Sequence, residues 1–140
     1  VNTLLGADAY IRLLDDVYFT LKDVKDAEVL ILGADERKNF PGVVDCVQRI
    51  QNAGIRTRLV VEEGNDYILG NLEDYRQIPS EYFSNSVTVI YGDKFAILIE
   101  HSDGPRVHVV NNLHLARAQG RFFEFIWKNG HKPEITNASV

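Results

Sequence analysis

The stretch of residues 84–128 constrains the fold most, because it predicts a β-hairpin, one more strand and a closing helix in direct succession. Residues 87–91 and 94–100 are predicted strands that flank Gly92 and Asp93. A glycine in the first place of a two-residue loop favours a type II′ turn, whose twist matches that of paired strands. We therefore expect an antiparallel pair of neighbouring strands here.

The final strand of this stretch is predicted over residues 106–110, and a long helix follows it. Asn111 or Asn112 is expected to cap this helix, which extends to Lys128. Apolar residues at helical spacing predict its inner face, which consists of Leu115, Ala118, Phe122, Phe123, Ile126 and Trp127. Phe125 falls nearer the opposite side, where burial would need a partner, and it therefore favours dimerisation.

A βαβ unit is predicted over the preceding part of the chain. Residues 27–33 form a short, mainly apolar run that ends in glycine. An apolar run of this kind is typical of a buried central strand. Pro41 suits the first turn of a helix, and Gly54 suits its end. Residues 55–61 predict a second strand, parallel to the first because a helix connects them. With a brief strand over 75–78, the fold class is α/β, a mixed β-sheet with flanking helices.

The N-terminal residues 8–22 show the apolar spacing of an amphipathic helix. Two interpretations stay open: a helix packed on the sheet, or a connector to an absent N-terminal domain or a dimer helix. We divide the chain into a connector or dimer helix (1–25), an α/β domain (26–133) and a tail (134–140).

Composition limits the class of protein. The chain has 140 residues, enough for one domain, and its net charge of −5 gives no general attraction to nucleic acid. It lacks methionine and starts at Val1, so we expect a fragment of a longer protein. A single cysteine, Cys46, forbids an intrachain disulfide and favours the cytoplasm. No apolar run approaches the roughly 20 residues that span a bilayer, so we expect no membrane partner.

Ligands of open α/β sheets gather at the carboxyl ends of parallel strands. Asp35, Glu36 and Arg37 follow the first predicted strand and are therefore candidate ligand-binding residues, the alternative being an ordinary charged loop. The sequence contains no phosphate-binding glycine motif. Its four histidines and single cysteine lack zinc spacing, so we expect neither a metal nor a cofactor.

The order of elements in residues 27–128 resembles one half of the phospholipase D-like fold. It is most similar to the non-catalytic versions found C-terminal to helix-turn-helix domains in TrmB-type transcriptional regulators. The likeness lies in the Tyr91-Gly-Asp-Lys94 turn, in the Val109-Val-Asn-Asn112 segment and in a closing helix that ends Phe-Phe-x-Phe-Ile-Trp. The resemblance therefore implies a phospholipase D-like half-domain.

Catalytic members of that family carry HxKxxxxD leading into the hairpin, where the histidine attacks phosphorus and the lysine holds the phosphate charge. If the turns coincide, these positions fall on Ser84, Ser86 and Tyr91. A serine without a base is a weak nucleophile, and a hydroxyl cannot replace an ammonium group. The resemblance thus implies that hydrolysis is lost. Ser84, Asn85 and Ser86 could still hydrogen-bond a sugar or phosphate, or they simply open a strand.

We therefore expect a non-catalytic sensing and dimerisation domain, the C-terminal part of a DNA-binding transcriptional regulator. It would form a homodimer and bind a small-molecule effector, while the absent N-terminal domain contacts DNA. One alternative is a phosphodiesterase or nuclease-like enzyme with an atypical site, which needs His101 or His108 beside Lys94 in a cleft. Another is a nucleic-acid-binding module whose cations converge at one sheet edge, namely Arg56, Arg58, Arg76 and Arg106.

Overall fold

The computed structural model describes residues 2–39 and 41–134, and within them seven strands and three α-helices. The strands are β1 (Asn2–Leu5), β2 (Glu28–Leu32), β3 (Arg56–Glu62), β4 (Tyr75–Ile78), β5 (Val87–Tyr91), β6 (Lys94–His101) and β7 (Gly104–Asn111). The helices are α1 (Ala9–Leu21), α2 (Pro41–Asn52) and α3 (Leu113–Asn129). Apart from Glu134, the predicted tail over 134–140 lies outside the described residues.

These strands form one mixed sheet in the order β1-β7-β6-β5-β2-β3-β4. β2, β3 and β4 run parallel, and the remaining neighbours pair antiparallel. The predicted βαβ unit is present, with Pro41 in the first turn of α2 and Gly54 beyond its end at a φ of 81°. The prediction of an α/β fold with a mixed sheet and flanking helices is confirmed.

The predicted hairpin joins β5 to β6, and Tyr91 pairs with Lys94 across the turn. Gly92 has a φ of 59°, as the first turn position of type II′ requires. The Tyr91 hydroxyl donates to Oδ2 of Asp16 at 2.8 Å, and the Lys94 ammonium donates to the same oxygen at 3.0 Å. The turn is thereby tied to α1.

The N-terminal segment belongs to the same sheet and core as the rest. α1 buries five side chains, which are Ala9, Leu13, Leu14, Val17 and Leu21. They share one cluster with residues of β2, β3, β5 and β7, so α1 is a helix packed on the sheet, the first of the two interpretations. A further role as a connector or dimer helix stays a prediction.

β1 was not predicted from the sequence. It pairs antiparallel with β7 at the edge of the sheet, and three of its four residues are exposed. An edge strand with so little burial shows no alternation of apolar and polar residues, which is the signal that identifies strands.

The two faces of the sheet are covered by different helices. Val29 and Ile31 of β2 belong to the cluster with α1 and α2, whereas Leu30 and Leu32 pack in the cluster with α3. This alternation follows from the two-residue period of a strand. β2 therefore lies at the centre of both cores.

α3 begins where predicted but turns a different face to the sheet. The Asn112 side chain caps the helix by accepting from the Leu115 amide at 3.1 Å. Phe123 is 1% exposed and packs on the sheet. Leu115 and Phe122, which the sequence analysis placed on the inner face, are 51% and 64% exposed, so this part of the prediction is wrong.

The prediction failed because α3 carries two apolar stripes, and both satisfy helical spacing. Contacts with β3 decide between them. The Arg58 guanidinium lies 5.3 Å from the Phe123 ring centre and 5.0 Å from that of Trp127, and it forms an ion pair with Glu124. Such cation–π contacts and the ion pair orient the helix. The second stripe, Leu115, Phe122 and Phe125, is left exposed.

Adjacent phenylalanines on α3 offer a matched test of this orientation. Phe123→Ala should lower the free energy of unfolding by about 3–5 kcal/mol, because it removes a buried ring and leaves a cavity. Phe122→Ala should change it by less than about 0.5 kcal/mol, as for a surface position. Urea denaturation in dilute solution measures both. Equally large costs for the two variants would show that α3 buries the face predicted from the sequence, and the reverse order would contradict both orientations.

Candidate functional site

Gly33 directly follows the carboxyl end of β2. At this residue the chain contacts the segment that leads into β5. Gly33 has a φ of 90°, and its N–H and that of Ala34 both donate to the Val60 carbonyl at 3.2 Å. A Cβ atom on Gly33 would lie 2.6 Å from the Ser84 carbonyl oxygen and 3.0 Å from that of Ser86. Only glycine permits this approach. Two cavities open beside the crossing, one on each face of the sheet, and Gly33 lines both.

The first cavity, called here the α2 cavity, lies between α2 and the sheet and has a volume of about 380 Å³. Its walls are mainly apolar and include Val43, Val47, Leu59, Val87 and Leu98. Polar side chains also line it, among them Tyr10, Glu36, Thr57, Tyr75 and Asn85. A concave apolar space with a few polar groups is the usual form of a small-molecule site.

The second cavity, called here the α3 cavity, has a volume of about 730 Å³. Ser84 and Ser86 line it at the entrance to β5, and Phe125 lines it from α3. Tyr82 and Phe83 contribute aromatic rings on the same side. This cavity is therefore the place where the residues at the hairpin entrance meet the exposed stripe of α3.

Four of the five candidate ligand-binding residues line one or the other of the two cavities. Asp35 and Glu36 line the α2 cavity, whereas Ser84 and Ser86 line the α3 cavity. Arg37 lines neither of these two. The two pairs line cavities on opposite faces of the sheet. Their binding of a ligand stays a prediction, but they do not form one site.

Glu36 is the most buried carboxylate of the α2 cavity, with 8% of its surface exposed. The Tyr75 hydroxyl and the Leu69 amide both donate to its Oε1 atom, the amide at 3.2 Å. Burial raises the pKa of Glu36 above its ordinary value, although both hydrogen bonds oppose this. Burial and the nearby Glu36 charge raise the pKa of Tyr10 to about 12.

Asp35 and Arg37 satisfy each other. The Arg37 guanidinium donates to both carboxylate oxygens of Asp35 at 2.9 Å, and its backbone amide donates to Oδ1 at 3.1 Å. These bonds lower the pKa of Asp35. The Arg37 guanidinium therefore pairs within its own loop. This agrees with the alternative interpretation, in which these residues form an ordinary charged loop.

The three residues that the resemblance would place at the HxKxxxxD positions, Ser84, Ser86 and Tyr91, do not form a cluster. The Ser84 hydroxyl accepts from the Ser86 amide at 3.2 Å, a local contact that opens a strand. Tyr91 ends β5, five residues beyond Ser86, which is about 16 Å at 3.3 Å per residue. Its hydroxyl is engaged by Asp16 on α1.

The histidines do not complete a catalytic pair with Lys94. His101 and Lys94 stand at opposite ends of β6, about 23 Å apart at the usual rise per residue. A 3.1 Å hydrogen bond joins His108 to Thr3 on β1. None of the four histidines of the chain lines either cavity. Among residues 2–39 and 41–134, no three His, Cys, Asp or Glu side chains come together as a metal site.

The four arginines proposed for nucleic-acid binding do not converge. Arg106 lies on β7, and three strands separate it from Arg58 on β3. Carboxylates already pair with these cations: Asp103 lies 3.0 Å from Arg106, and Glu28 lies 2.8 Å from Arg58. The alternative of a nucleic-acid-binding module required these arginines to converge at one sheet edge, and they do not.

The described helices do not include one that is both long and apolar enough to cross a membrane.

The polar residues of the α2 cavity that sequence reasoning missed include Tyr10, Thr57 and Tyr75. They come from α1, β3 and β4, so their proximity depends on the strand order. Thr57 gave the one local signal, a hydroxyl on the side of β3 that otherwise carries Leu59 and Val61.

The pH dependence of stability tests the burial of Glu36. Because its pKa is raised on folding, its contribution to the free energy of unfolding is full below its ordinary pKa and is lost as the pH rises towards the raised value. Glu36→Gln keeps an acceptor for Tyr75 and Leu69 but does not ionise. The variant should therefore gain stability relative to the unmodified chain as the pH rises from about 4 to about 7.

Denaturant unfolding at several pH values measures this difference. Glu81→Gln, at an exposed position, is the control and should follow the unmodified chain throughout. A stability difference between Glu36→Gln and the unmodified chain that does not vary with pH would contradict the burial of an ionisable Glu36.

The solved structures that are similar to this chain include Nuc, NucT and TrmBL2. Nuc from Salmonella typhimurium, a phospholipase D family member, is 10% identical with a TM-score of 0.68, and the match covers 94% of this chain and 96% of Nuc. NucT from Helicobacter pylori is 6% identical with a TM-score of 0.61, and the match covers 94% of this chain and 98% of NucT.

TrmBL2, an archaeal chromatin protein with a novel mode of DNA binding, is 11% identical with a TM-score of 0.59. That match covers 94% of this chain but 53% of TrmBL2, so the chain corresponds to about half of that protein. No family model and no curated protein sequence matches. The likeness is one of fold: the chain has a phospholipase D-like α/β fold, similar to those of Nuc and NucT and to that part of TrmBL2.

Proposed function

We propose that this chain is a non-catalytic sensing and dimerisation domain, the C-terminal part of a DNA-binding transcriptional regulator. The observation that carries the proposal is the hairpin entrance, where Ser84 and Ser86 lie at the positions that the resemblance, with coinciding hairpin turns, assigns to the histidine and lysine of phospholipase D-like enzymes. Neither serine supplies a nucleophile activated by a base or a fixed positive charge for a phosphoryl group.

The arrangement around Ser84 supports this interpretation. Its hydroxyl accepts from a backbone amide, and no histidine lines the α3 cavity beside it. Lys94, a candidate cation of an atypical site, is bound to Asp16 and lies 3.4 Å from the Thr20 hydroxyl on α1. The alternative of a phosphodiesterase or nuclease-like enzyme requires an imidazole next to Lys94 in a cleft. The contacts of the described residues do not support this arrangement.

The similarity to TrmBL2 supports a role within a larger regulator. The matched part is about half of that protein, which leaves the other half for further functions such as contact with DNA. This chain is acidic, and Arg56, Arg58 and Arg106 are each paired with a carboxylate. Binding to the phosphate backbone needs cations that are free to displace counterions. DNA binding therefore belongs to a separate domain.

The exposed stripe of α3 supports dimerisation. Leu115, Phe122 and Phe125 are more than half exposed, and Tyr82 lies at 74% exposure. Phe125 and Tyr82 both line the α3 cavity, so the stripe continues into a concave apolar surface. A second copy is the proposed occupant, because two-fold pairing uses one patch twice and phospholipase D-like enzymes build one site from two half-domains.

A direct assay tests the absence of hydrolysis. The chain is incubated with bis(p-nitrophenyl) phosphate, a chromogenic phosphodiester, and release of p-nitrophenolate is followed. We expect no release above the buffer blank. Release that disappears in the Ser84→Ala, Ser86→Ala double variant would identify a serine-dependent enzyme. Release that survives the substitutions would place catalysis elsewhere in the chain and would equally contradict the proposal.

Sedimentation velocity tests the dimer and its surface. Phe122→Ser and Phe125→Ser should each weaken the dimer by at least about 30-fold, the effect of losing about 2 kcal/mol at an interface hot spot. The control is Phe19→Ser, which changes an equally exposed phenylalanine on α1, beneath the opposite face of the sheet. Dissociation by the control alone would identify α1 as the dimer helix. A monomer in the unmodified chain at high concentration would rule out the dimer.

A further inference from the structure

One buried hydroxyl in the α2 cavity has no protein partner. Thr57 is 5% exposed, and its Oγ1 atom has neither a hydrogen bond nor notable accessible surface among the described residues. Leaving a buried hydroxyl unpaired costs free energy, and valine would fill the same space without that cost. Such unpaired groups occur where a structure serves another purpose. Thr57 lines the adjoining cavity, and rotation about its χ1 bond would turn this hydroxyl toward a ligand there.

The cavity beside Thr57 has the size and lining of a ligand site. Its volume of about 380 Å³ falls in the range of small-molecule pockets. Val43 and Val47 of α2 form one wall, and Leu59 of β3 and Leu98 of β6 contribute to the other. An apolar body of about the size of a single substituted ring fits such walls.

The charges around the cavity select the sign of the ligand. Three carboxylates line it, from Asp35, Glu36 and Glu100, against one ammonium group, from Lys38. The Arg37 guanidinium offsets the Asp35 charge at 2.9 Å. This leaves the carboxylates of Glu36 and Glu100 against Lys38. The negative potential of the lining would repel an anionic ligand. It would not repel a neutral or cationic ligand.

We infer that the α2 cavity binds a small molecule with an apolar body and one uncharged hydroxyl or cationic amine group. Thr57 rotates to another staggered χ1 position, which brings its hydroxyl to the ligand's polar group. The inference deepens and rests on the proposed sensing function, since it assigns the effector to the α2 cavity and excludes phosphorylated and other anionic molecules.

Three probes with the same ring and different head groups test the inference: benzyl alcohol, benzylamine and benzoate. The methyl-labelled chain is titrated with each and followed by NMR at the methyl groups of Thr57, Val43 and Leu98. We expect saturable shifts with benzyl alcohol and benzylamine, and an affinity for benzoate at least about tenfold lower, which is 1.4 kcal/mol. Benzoate binding as tightly as the other two would overturn the ligand class.

The matched variants are Thr57→Val and Thr88→Val. Thr57→Val should weaken benzyl alcohol binding by about three- to tenfold, the worth of one hydrogen bond, without lowering the melting temperature. Thr88 lines the α3 cavity on the other face, so Thr88→Val should leave binding unchanged. Equal binding by Thr57→Val and the unmodified chain would remove Thr57 from the site.

The titrations of the unmodified chain test whether the α2 cavity binds this class of ligand, even if a variant folds poorly. If none of the three probes shifts the methyl groups of Thr57, Val43 and Leu98, the cavity is not a site for this class of molecule. That result would leave the phosphodiester assay and the sedimentation data untouched, so failure of the inference is distinct from failure of the proposed function.

Discussion

The close approach of two backbone segments at Gly33 determines where the two cavities lie. The segment entering β5 passes within contact distance of the end of β2, because no side chain stands between them. From this crossing onward, side chains alternate between the two faces. Ser84 and Ser86 line one cavity and Asn85 lines the other. A single tight crossing thus gives this fold two separate cavities in place of one common site.

The orientation of α3 links the core to the proposed dimer surface. Arg58 projects from β3 beneath the helix, where Phe123 and Trp127 cover its guanidinium and Glu124 neutralises it. A buried cation is tolerated only with such partners, so the helix has one favourable rotation. That rotation leaves Phe122 and its stripe outside. The aromatic surface available for a second copy is therefore a consequence of how one buried charge is satisfied.

Local signals explain the elements that could be predicted. The hairpin followed from Gly92, the end of α2 from Gly54 and the cap of α3 from Asn112, since each residue acts on the backbone within a few positions. The charged residues after β2 were also placed correctly at the carboxyl end of a parallel strand. β1 could not be predicted, because its pairing with β7 connects segments about a hundred residues apart and leaves little burial.

Apart from β1, the sequence alone determined the order of strands and helices along the chain, the hairpin turn and the presence of Ser84 and Ser86 at the hairpin entrance. These features depend on backbone preferences and on residue identity at single positions. The tertiary structure alone decided which face of α3 is buried and that Tyr10, Thr57 and Tyr75 line one cavity with Glu36. The physical reason is that helix phase and cavity lining depend on contacts between elements distant in sequence, for which periodicity within one element carries no information.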